Sequence, residues 1–224
     1  MFFQGKLIVF SGIDGAGKTT QINRLLSLVD KKGGDPFYLW SRGGYTGSFN
    51  FLKSCLRKLI GEKLPPPGRN EARKNTFKKI WIRNLWLTLA IFDLLIVYGI
   101  YVRTLRIFGR YIIADRYLWD TWIDFQLNFP DTKFDQWILW KILKWFSPKP
   151  DVSFVLLIPV AESLRRSKLK DEPFPDSEEV LCQRLEMYKE LSIKDDYHIM
   201  DCLQPIQEIH SQIIQNIGLK LEPQ

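Results

Sequence analysis

Near its N-terminus the chain reads Lys6-Leu7-Ile8-Val9-Phe10-Ser11 and then Gly12-Ile13-Asp14-Gly15-Ala16-Gly17-Lys18-Thr19. The first run is apolar and typical of a strand. The second fits the pattern G-x-x-x-x-G-K-S/T, with a helical pattern after it. Glycines at this spacing let backbone amides and the start of the following helix surround a phosphate group. The stretch therefore predicts a P-loop in an α/β fold.

The chemistry of such a loop assigns roles to its residues. Lys18 is expected to reach the β- and γ-phosphates of ATP, and the Thr19 hydroxyl is expected to ligate Mg²⁺. The residues expected to bind the nucleotide are Gly12, Asp14, Gly15, Ala16, Gly17, Lys18, Thr19 and Thr20. ATP and Mg²⁺ are therefore the cofactors that the sequence predicts.

Strand-like and helix-like segments alternate along the rest of the chain. Further β-rich apolar runs occur at Phe37–Trp40, Tyr111–Asp115, Val152–Pro159 and Tyr197–Asp201. Helical periodicity occurs at Gln21–Lys32, Thr76–Phe108, Phe134–Phe146 and Glu178–Leu191. This alternation predicts a parallel sheet covered on both faces by helices. The 224 residues are enough for one sizeable core, so a single domain over residues 1–224 is expected.

Composition limits the classes of partner. The net charge of +7 suits nucleotide phosphates, a nucleic acid or an anionic membrane, and charge alone does not choose among them. The positive charge is the only feature that suggests a nucleic-acid partner, so such a partner is not expected. Three cysteines and two histidines, scattered along the chain, predict neither a disulfide framework nor a structural zinc site. A reducing, cytoplasmic location fits, and the N-terminus shows no secretory signal.

Leu85–Val102 is apolar and just reaches the length of a membrane span. Asp93 at its centre argues against a span, because a charge there costs about 3 kcal/mol and a good apolar residue gains only about 0.5 kcal/mol. A span would also separate two strands that must lie in one sheet. The segment is therefore expected to be a buried helix.

The segment from Phe10 to Gln21 closely resembles the opening motif of thymidylate kinases. Ile112–Tyr117 resembles that family's Asp-Arg-Tyr strand end, and Leu164–Lys170 occupies the place of its basic lid. The resemblance covers nearly the whole chain. It implies a five-stranded parallel sheet of the P-loop kinase fold, a lid near residues 162–177 and usually a homodimer. The implied activity is transfer of the ATP γ-phosphoryl group to dTMP or a related small, phosphorylated acceptor.

The resemblance also implies roles for residues outside the loop. Arg116 would hold the acceptor phosphate, and Asp115 would assist Mg²⁺ through water. Arg42 lies where the family has an arginine on a phosphate, and Asp14 where it has a carboxylate on the acceptor sugar. The alternative interpretations are a strand-end ion pair for Asp115 and Arg116, and a turn arginine for Arg42.

Cations from the lid are expected to stabilise the transition state, because the loop carries Gly15 where some family members have a basic residue. The lid candidates are Arg165, Arg166, Lys168 and Lys170, and Arg166 best fits the family's Leu-x-Arg spacing. An ordinary solvated helix face is the alternative. The residues expected to act in catalysis are thus Lys18, Arg116, Asp14, Arg166 and Arg165.

The sequence departs from the family in the acceptor half of the site. The positions of the family's thymine-stacking Phe and thymine-binding Arg fall at Ala90 and Leu94, and a register shift of one gives Ile91 and Leu95. Asp124 replaces an aromatic residue that packs on deoxyribose, and Ser11 replaces a common Glu. A non-thymidylate acceptor (another nucleotide, a sugar phosphate or an amphiphilic intermediate) and an inactive nucleotide-binding module are the alternatives.

The aromatic residues of Phe134–Phe146 allow two interpretations. Trp137, Trp140 and Trp145 alternate there with lysines, as in amphipathic helices that lie in a membrane interface. Such a helix would place the protein at the inner face of a membrane as a peripheral protein. Core packing combined with a dimer face explains the same pattern.

Overall fold

The computed structural model describes residues 5–41, 43, 46, 49, 76–169, 176–194 and 196–218. The strands are β1 Leu7–Gly12, β2 Pro36–Trp40, β3 Tyr111–Asp115, β4 Val152–Leu157 and β5 Tyr197–Asp201. They form one sheet in the order β2-β3-β1-β4-β5, and every pairing is parallel. The predicted α/β fold with a five-stranded parallel sheet is confirmed. Arg42 and Lys170 lie outside the described residues.

Six helices of eight or more residues connect these strands within the described ranges, and a seventh follows β5. They are α1 Lys18–Lys31, α2 Ile80–Ile107, α3 Leu118–Asn128, α4 Ile138–Phe146, α5 Val160–Leu169, α6 Glu178–Lys194 and α7 Ile206–Ile217. The Leu95–Val102 part of α2 is π-helical, and Phe134–Gln136 forms a 3₁₀ turn before α4. Helix α1 begins three residues earlier than its periodicity indicates, because the P-loop runs directly into it.

The sheet is buried on both faces, as parallel sheets are. Ile8 and Phe10 of β1 pack into a core cluster with residues of α1, α6 and α7. Leu7 and Val9 of the same strand pack into a second cluster, which includes residues of α2 and α4. Because the central strand β1 pairs in parallel with β3, the carboxyl ends of both strands lie at the same edge of the sheet, where ligands bind in such folds.

The sequence predicts a buried helix, and in the structure α2 is buried on one face only. Ala90, Ile91 and Leu94 have no exposed surface, whereas Trp81 and Phe92 are exposed. By length and composition α2 could cross a membrane, but 44% of its most apolar window is buried inside the protein. Its inner face belongs to the core of the domain, and its outer face carries exposed apolar side chains.

Candidate active site

The turn between β1 and α1 has the conformation of a phosphate-binding loop. Gly15 and Gly17 have φ angles of 78° and 90°, in the left-handed region that glycine adopts without strain. Gly12 is required for a different reason, because a Cβ there would collide with the Leu156 carbonyl oxygen of β4. The loop thus holds β1 against β4 and turns its backbone into the first turn of α1.

Lys18 is held inside this loop by backbone oxygens. Its Nζ donates to the carbonyls of Gly12 at 2.9 Å and Ile13 at 3.0 Å, and it lies 4.0 Å from Asp14 Oδ1. Burial of the amine, followed by the positive charge of Arg116, lowers its pKa from 10.5 to about 8. An anion bound in the loop would favour the charged form and would replace carbonyl dipoles with full negative charge.

The predicted Mg²⁺ residues lie at the start of α1 and at the end of β3. Thr19 is exposed in the first turn of α1, and Asp115 is buried. Asp115 Oδ2 accepts a hydrogen bond from the Tyr38 hydroxyl at 3.3 Å, while its buried Oδ1 has no hydrogen-bond partner among the described residues. Such an oxygen needs a partner, and Mg²⁺ characteristically takes few protein ligands and keeps water. The two side chains therefore fit the ion.

Arg116 turns back from the end of β3 toward the P-loop. Its backbone has a φ of 76°, which is strained for a residue with a side chain and is found mainly at functional sites. Its Nη2 donates to Asp14 Oδ1 at 2.6 Å, and its Nη1 donates to the Tyr188 hydroxyl at 3.3 Å. The guanidinium is thereby fixed beside the carboxylate that also faces Lys18.

Asp120 is the centre of a buried network below Arg116. Its Oδ2 accepts from Ser11 Oγ at 2.7 Å and from the Tyr117 amide at 3.0 Å, and its Oδ1 accepts from the Tyr188 hydroxyl at 2.6 Å. Oδ1 also lies 3.9 Å from Arg116 Nη1. Ser11, which replaces the family's Glu, thus meets a carboxylate supplied by α3. No motif in the sequence marks Asp120 or Tyr188.

Asp124, predicted to bind the acceptor, is in an ion pair within the protein. Its Oδ1 accepts from Arg184 Nη1 at 2.6 Å, and both side chains are buried. Arg184 Nη2 is 3.3 Å from Asp176 Oδ2 without hydrogen-bond geometry, and its buried Nε has no hydrogen-bond partner among the described residues. The signal that could have marked Arg184 is its spacing, which places it on the inner face of α6 with Leu181 and Tyr188.

The lid helix α5 packs directly on the P-loop. Arg166 donates to the Gly15 carbonyl at 3.1 Å, to the Cys202 carbonyl at 3.2 Å and to Glu162 at 2.6 Å. A Cβ at Gly15 would lie 3.3 Å from the Arg166 Cβ, so a small residue there admits the lid. Arg165 pairs only with Glu162 in the described part of the chain, and its side chain is 62% exposed. The structure brings Arg166, but not Arg165, to the loop.

The predicted thymine-binding positions are core positions. Ala90, Ile91 and Leu94 are completely buried, and the neighbouring Asp93 accepts a hydrogen bond from the Thr46 hydroxyl. The same core cluster contains four aromatic rings in mutual contact, most of them edge-to-face: Phe77, Trp86, Phe125 and Phe129. Leu95 is partly buried against the same core. Buried apolar side chains therefore occupy the positions at which the family has its thymine-binding Phe and Arg.

The chain is similar in sequence to several proteins that are named thymidylate kinases. A probable thymidylate kinase of Pyrococcus horikoshii is 28% identical over 220 residues, which cover 94% of this chain and 95% of the relative. The thymidylate kinase of Plasmodium falciparum is 25% identical over 99% of this chain and 94% of its own length. A probable thymidylate kinase of Methanocaldococcus jannaschii is 24% identical over 92% and 93%, respectively. No family model matches the chain. The resemblance that the motifs indicate is confirmed along nearly the full length.

Proposed function

We propose that this chain, which belongs to the thymidylate kinase family, transfers the γ-phosphoryl group of ATP to a small acceptor that carries a phosphate. One observation carries the proposal. The Asp14 carboxylate lies 4.0 Å from Lys18 Nζ and 2.6 Å from Arg116 Nη2, so it joins the cation of the P-loop to the cation at the end of β3. Two buried cations side by side suit two phosphates that must react with each other.

Each residue has one task in this reaction. Lys18 binds the β- and γ-phosphates and neutralises charge that develops between them. Arg166, anchored on the loop, stabilises negative charge from the lid side, and Arg116 orients the acceptor phosphate. Thr19 and Asp115 would hold Mg²⁺, which when bound neutralises phosphate charge. We assign Arg42 to the phosphates as well, from the family pattern alone.

The acceptor has two candidates. dTMP is the first, because the relatives are named thymidylate kinases. A non-thymidylate acceptor is the second, and it is favoured by the complete burial of Ala90 and Leu94. A site that hydrogen-bonds a substrate group discriminates strongly by it, and apolar side chains at these positions cannot donate to a thymine carbonyl. The ion pair of Asp124 with Arg184 likewise leaves less of that carboxylate for a sugar hydroxyl.

A coupled ATP assay across dTMP, other nucleoside monophosphates and phosphosugars tests both candidates. We expect turnover with at least one phosphorylated acceptor and a low rate with dTMP. Robust turnover with micromolar dTMP and none with the others would establish the first candidate. Binding of ATP without turnover of any acceptor would indicate the third possibility, a nucleotide-binding module without catalysis. A cytoplasmic location and the homodimer implied by the resemblance stay predictions, and analytical ultracentrifugation tests the latter.

A further inference from the structure

Arg184 is a buried arginine with most of its hydrogen-bonding capacity unused. Its side chain is 1% exposed. Its Nη1 donates to Asp124 Oδ1 at 2.6 Å, whereas its buried Nε and Nη2 have no hydrogen-bond partner among the described residues. A guanidinium carries five N–H donors, and buried polar groups in folded proteins are almost always paired. Arg184 therefore needs partners that the described part of the chain does not supply.

The second carboxylate beside Arg184 is poorly placed to be that partner. Asp176 Oδ2 lies 3.3 Å from Nη2, but the contact lacks hydrogen-bond geometry. Asp176 stands two residues before α6, at the C-terminal end of the lid that the sequence predicts near residues 162–177. It is the more exposed of the two carboxylates, at 11% against 5% for Asp124. The Nη2 side of Arg184 therefore faces the end of the lid.

Arg184 lies one helical turn from the residue that supports Arg116. On α6 it precedes Tyr188 by four residues, and on α3 its partner Asp124 follows Asp120 by four residues. The two helices are therefore joined by two successive side-chain pairs. The pair that includes Tyr188 also contacts Arg116, whose Nη1 donates to the Tyr188 hydroxyl. Along α6, Arg184 thus lies between the contact with Arg116 and the end of the lid.

The charge of Arg184 is already balanced within the protein. Asp124 at 2.6 Å and Asp176 at 3.3 Å place two carboxylates beside one guanidinium. Burial opposes the charge of Arg184, but the Asp124 carboxylate raises its pKa above the ordinary arginine value, so the guanidinium stays charged. A further anion would meet no net positive charge here. The group that completes Arg184 is therefore a neutral oxygen with free lone pairs, as in a hydroxyl or a carbonyl.

These contacts give Arg184 a part in the choice of acceptor. We propose that Arg184 donates hydrogen bonds from Nε and Nη2 to a neutral oxygen of the acceptor, while Arg116 orients the acceptor phosphate. Asp124 keeps the guanidinium in place, and the acceptor oxygen replaces Asp176 beside Nη2. The inference rests on the proposed function and adds a chemical class to it. The acceptor is a phosphate ester with a sugar hydroxyl or a ring carbonyl, and an analogue without that oxygen leaves buried donors unpaired.

The test compares acceptors that differ by single groups: UMP, its 2′-deoxy and 3′-deoxy analogues, and ribose 5-phosphate. Calorimetry with a non-hydrolysable ATP analogue and Mg²⁺ measures their binding to the intact protein, and a coupled ATP assay measures turnover. We expect loss of the decisive oxygen to weaken binding roughly 100-fold. Weak binding of one deoxy analogue identifies a sugar hydroxyl. Weak binding of ribose 5-phosphate alone identifies a base carbonyl.

Substitution of Arg184 connects this discrimination to the residue. Arg184→Lys keeps a charge for Asp124 but removes the planar group and its Nε donor. We expect the ratio of affinities between UMP and the weak analogue to fall below about tenfold. A residue that only supports the fold would weaken both compounds equally and leave the ratio unchanged. The matched control is Arg110→Lys in the exposed ion pair with Asp35, and it should keep the full ratio.

Asp124→Asn is a second variant in case Arg184→Lys does not fold, and circular dichroism checks both. It weakens the bond that holds Arg184, so it should lower the same ratio. Equal binding of all four compounds, or no binding, overturns the proposal and would leave water as the partner of Arg184. A ratio that persists in the variants also overturns it. Discrimination through Arg184 without turnover would uphold the inference and contradict the proposed kinase function, whereas turnover without discrimination would do the reverse.

Discussion

The two halves of the site are built from different kinds of groups. The half proposed to bind ATP is made by the contiguous residues 12–19, whose own carbonyl oxygens hold Lys18. The half proposed to bind the acceptor uses side chains from distant elements: Arg116 directly after β3, Asp120 of α3 and Tyr188 of α6 are joined by hydrogen bonds. A backbone-made site depends on a short motif, so it stays recognisable. A side-chain network can be rebuilt residue by residue while the fold stays the same.

Loss of the donor cation should have the largest effect. Lys18→Ala removes the charge that neutralises the reacting phosphates, and we expect kcat to fall roughly 1,000-fold with any acceptor. Lys31→Ala, at the exposed end of the same helix, is the matched control and should retain full activity. Steady-state kinetics measures both. Wild-type turnover by the Lys18 variant would remove the kinase assignment altogether.

Substitutions of the two lid arginines should differ in their effect on kcat by about two orders of magnitude. Arg166→Ala removes the guanidinium that contacts the Gly15 and Cys202 carbonyls, and we expect kcat to fall roughly 100-fold. Arg165→Ala removes only an exposed ion pair with Glu162 and should change kcat less than about twofold. If the two variants have equal activity, the lid contributes as a charged surface rather than through one positioned residue.

Substitutions in the hydrogen-bond network around Asp120, which supports Arg116, should lower activity by an intermediate amount. Asp120→Asn keeps the shape of the side chain but weakens its bonds to Ser11 and Tyr188, so Arg116 loses part of its support. We expect kcat/KM for the acceptor to fall roughly tenfold, with ATP affinity unchanged. Ser11→Ala, which removes one of these bonds, is the milder comparison. A fall in ATP affinity instead would show that Asp120 supports the donor half.

The smallest expected effect is a pH dependence of ATP binding. Burial and then Arg116 hold the pKa of Lys18 at about 8 in the free protein, and bound phosphates should raise it. Binding therefore takes up a proton above that pH, and affinity should fall about fourfold from pH 7 to pH 8.5. Calorimetry in two buffers of different ionisation enthalpy measures the proton uptake directly. A flat profile without proton uptake would mean that Lys18 is already fully charged in the free loop.

The strands and the loop could be predicted because their signals are local. β3 and β5 have the bounds that the apolar runs indicate. The glycines of the P-loop pattern mark the positions where the backbone takes positive φ angles. Helix α3 was not predicted from periodicity, because the polar residues Asp120, Thr121 and Asp124 occupy buried positions where the helical pattern requires apolar residues. Asp120 and Asp124 also accept the side-chain hydrogen bonds that join α3 to α6. Their partners Arg184 and Tyr188 lie some 60 to 70 positions away, and one sequence does not reveal such pairs.

The π-helical turn of α2 brings the outside of the molecule close to its centre. Ile96 and Ile100 are exposed, and Tyr98 between them is buried with its hydroxyl 2.8 Å from Ser41 Oγ. The Tyr98 ring centroid lies 4.3 Å from that of Tyr117, which directly follows Arg116. A π-turn holds one residue more than an α-turn, so tightening it would rotate the inner and outer side chains together. A force on the outer surface of α2 would therefore be transmitted through these two contacting rings to the backbone that carries Arg116.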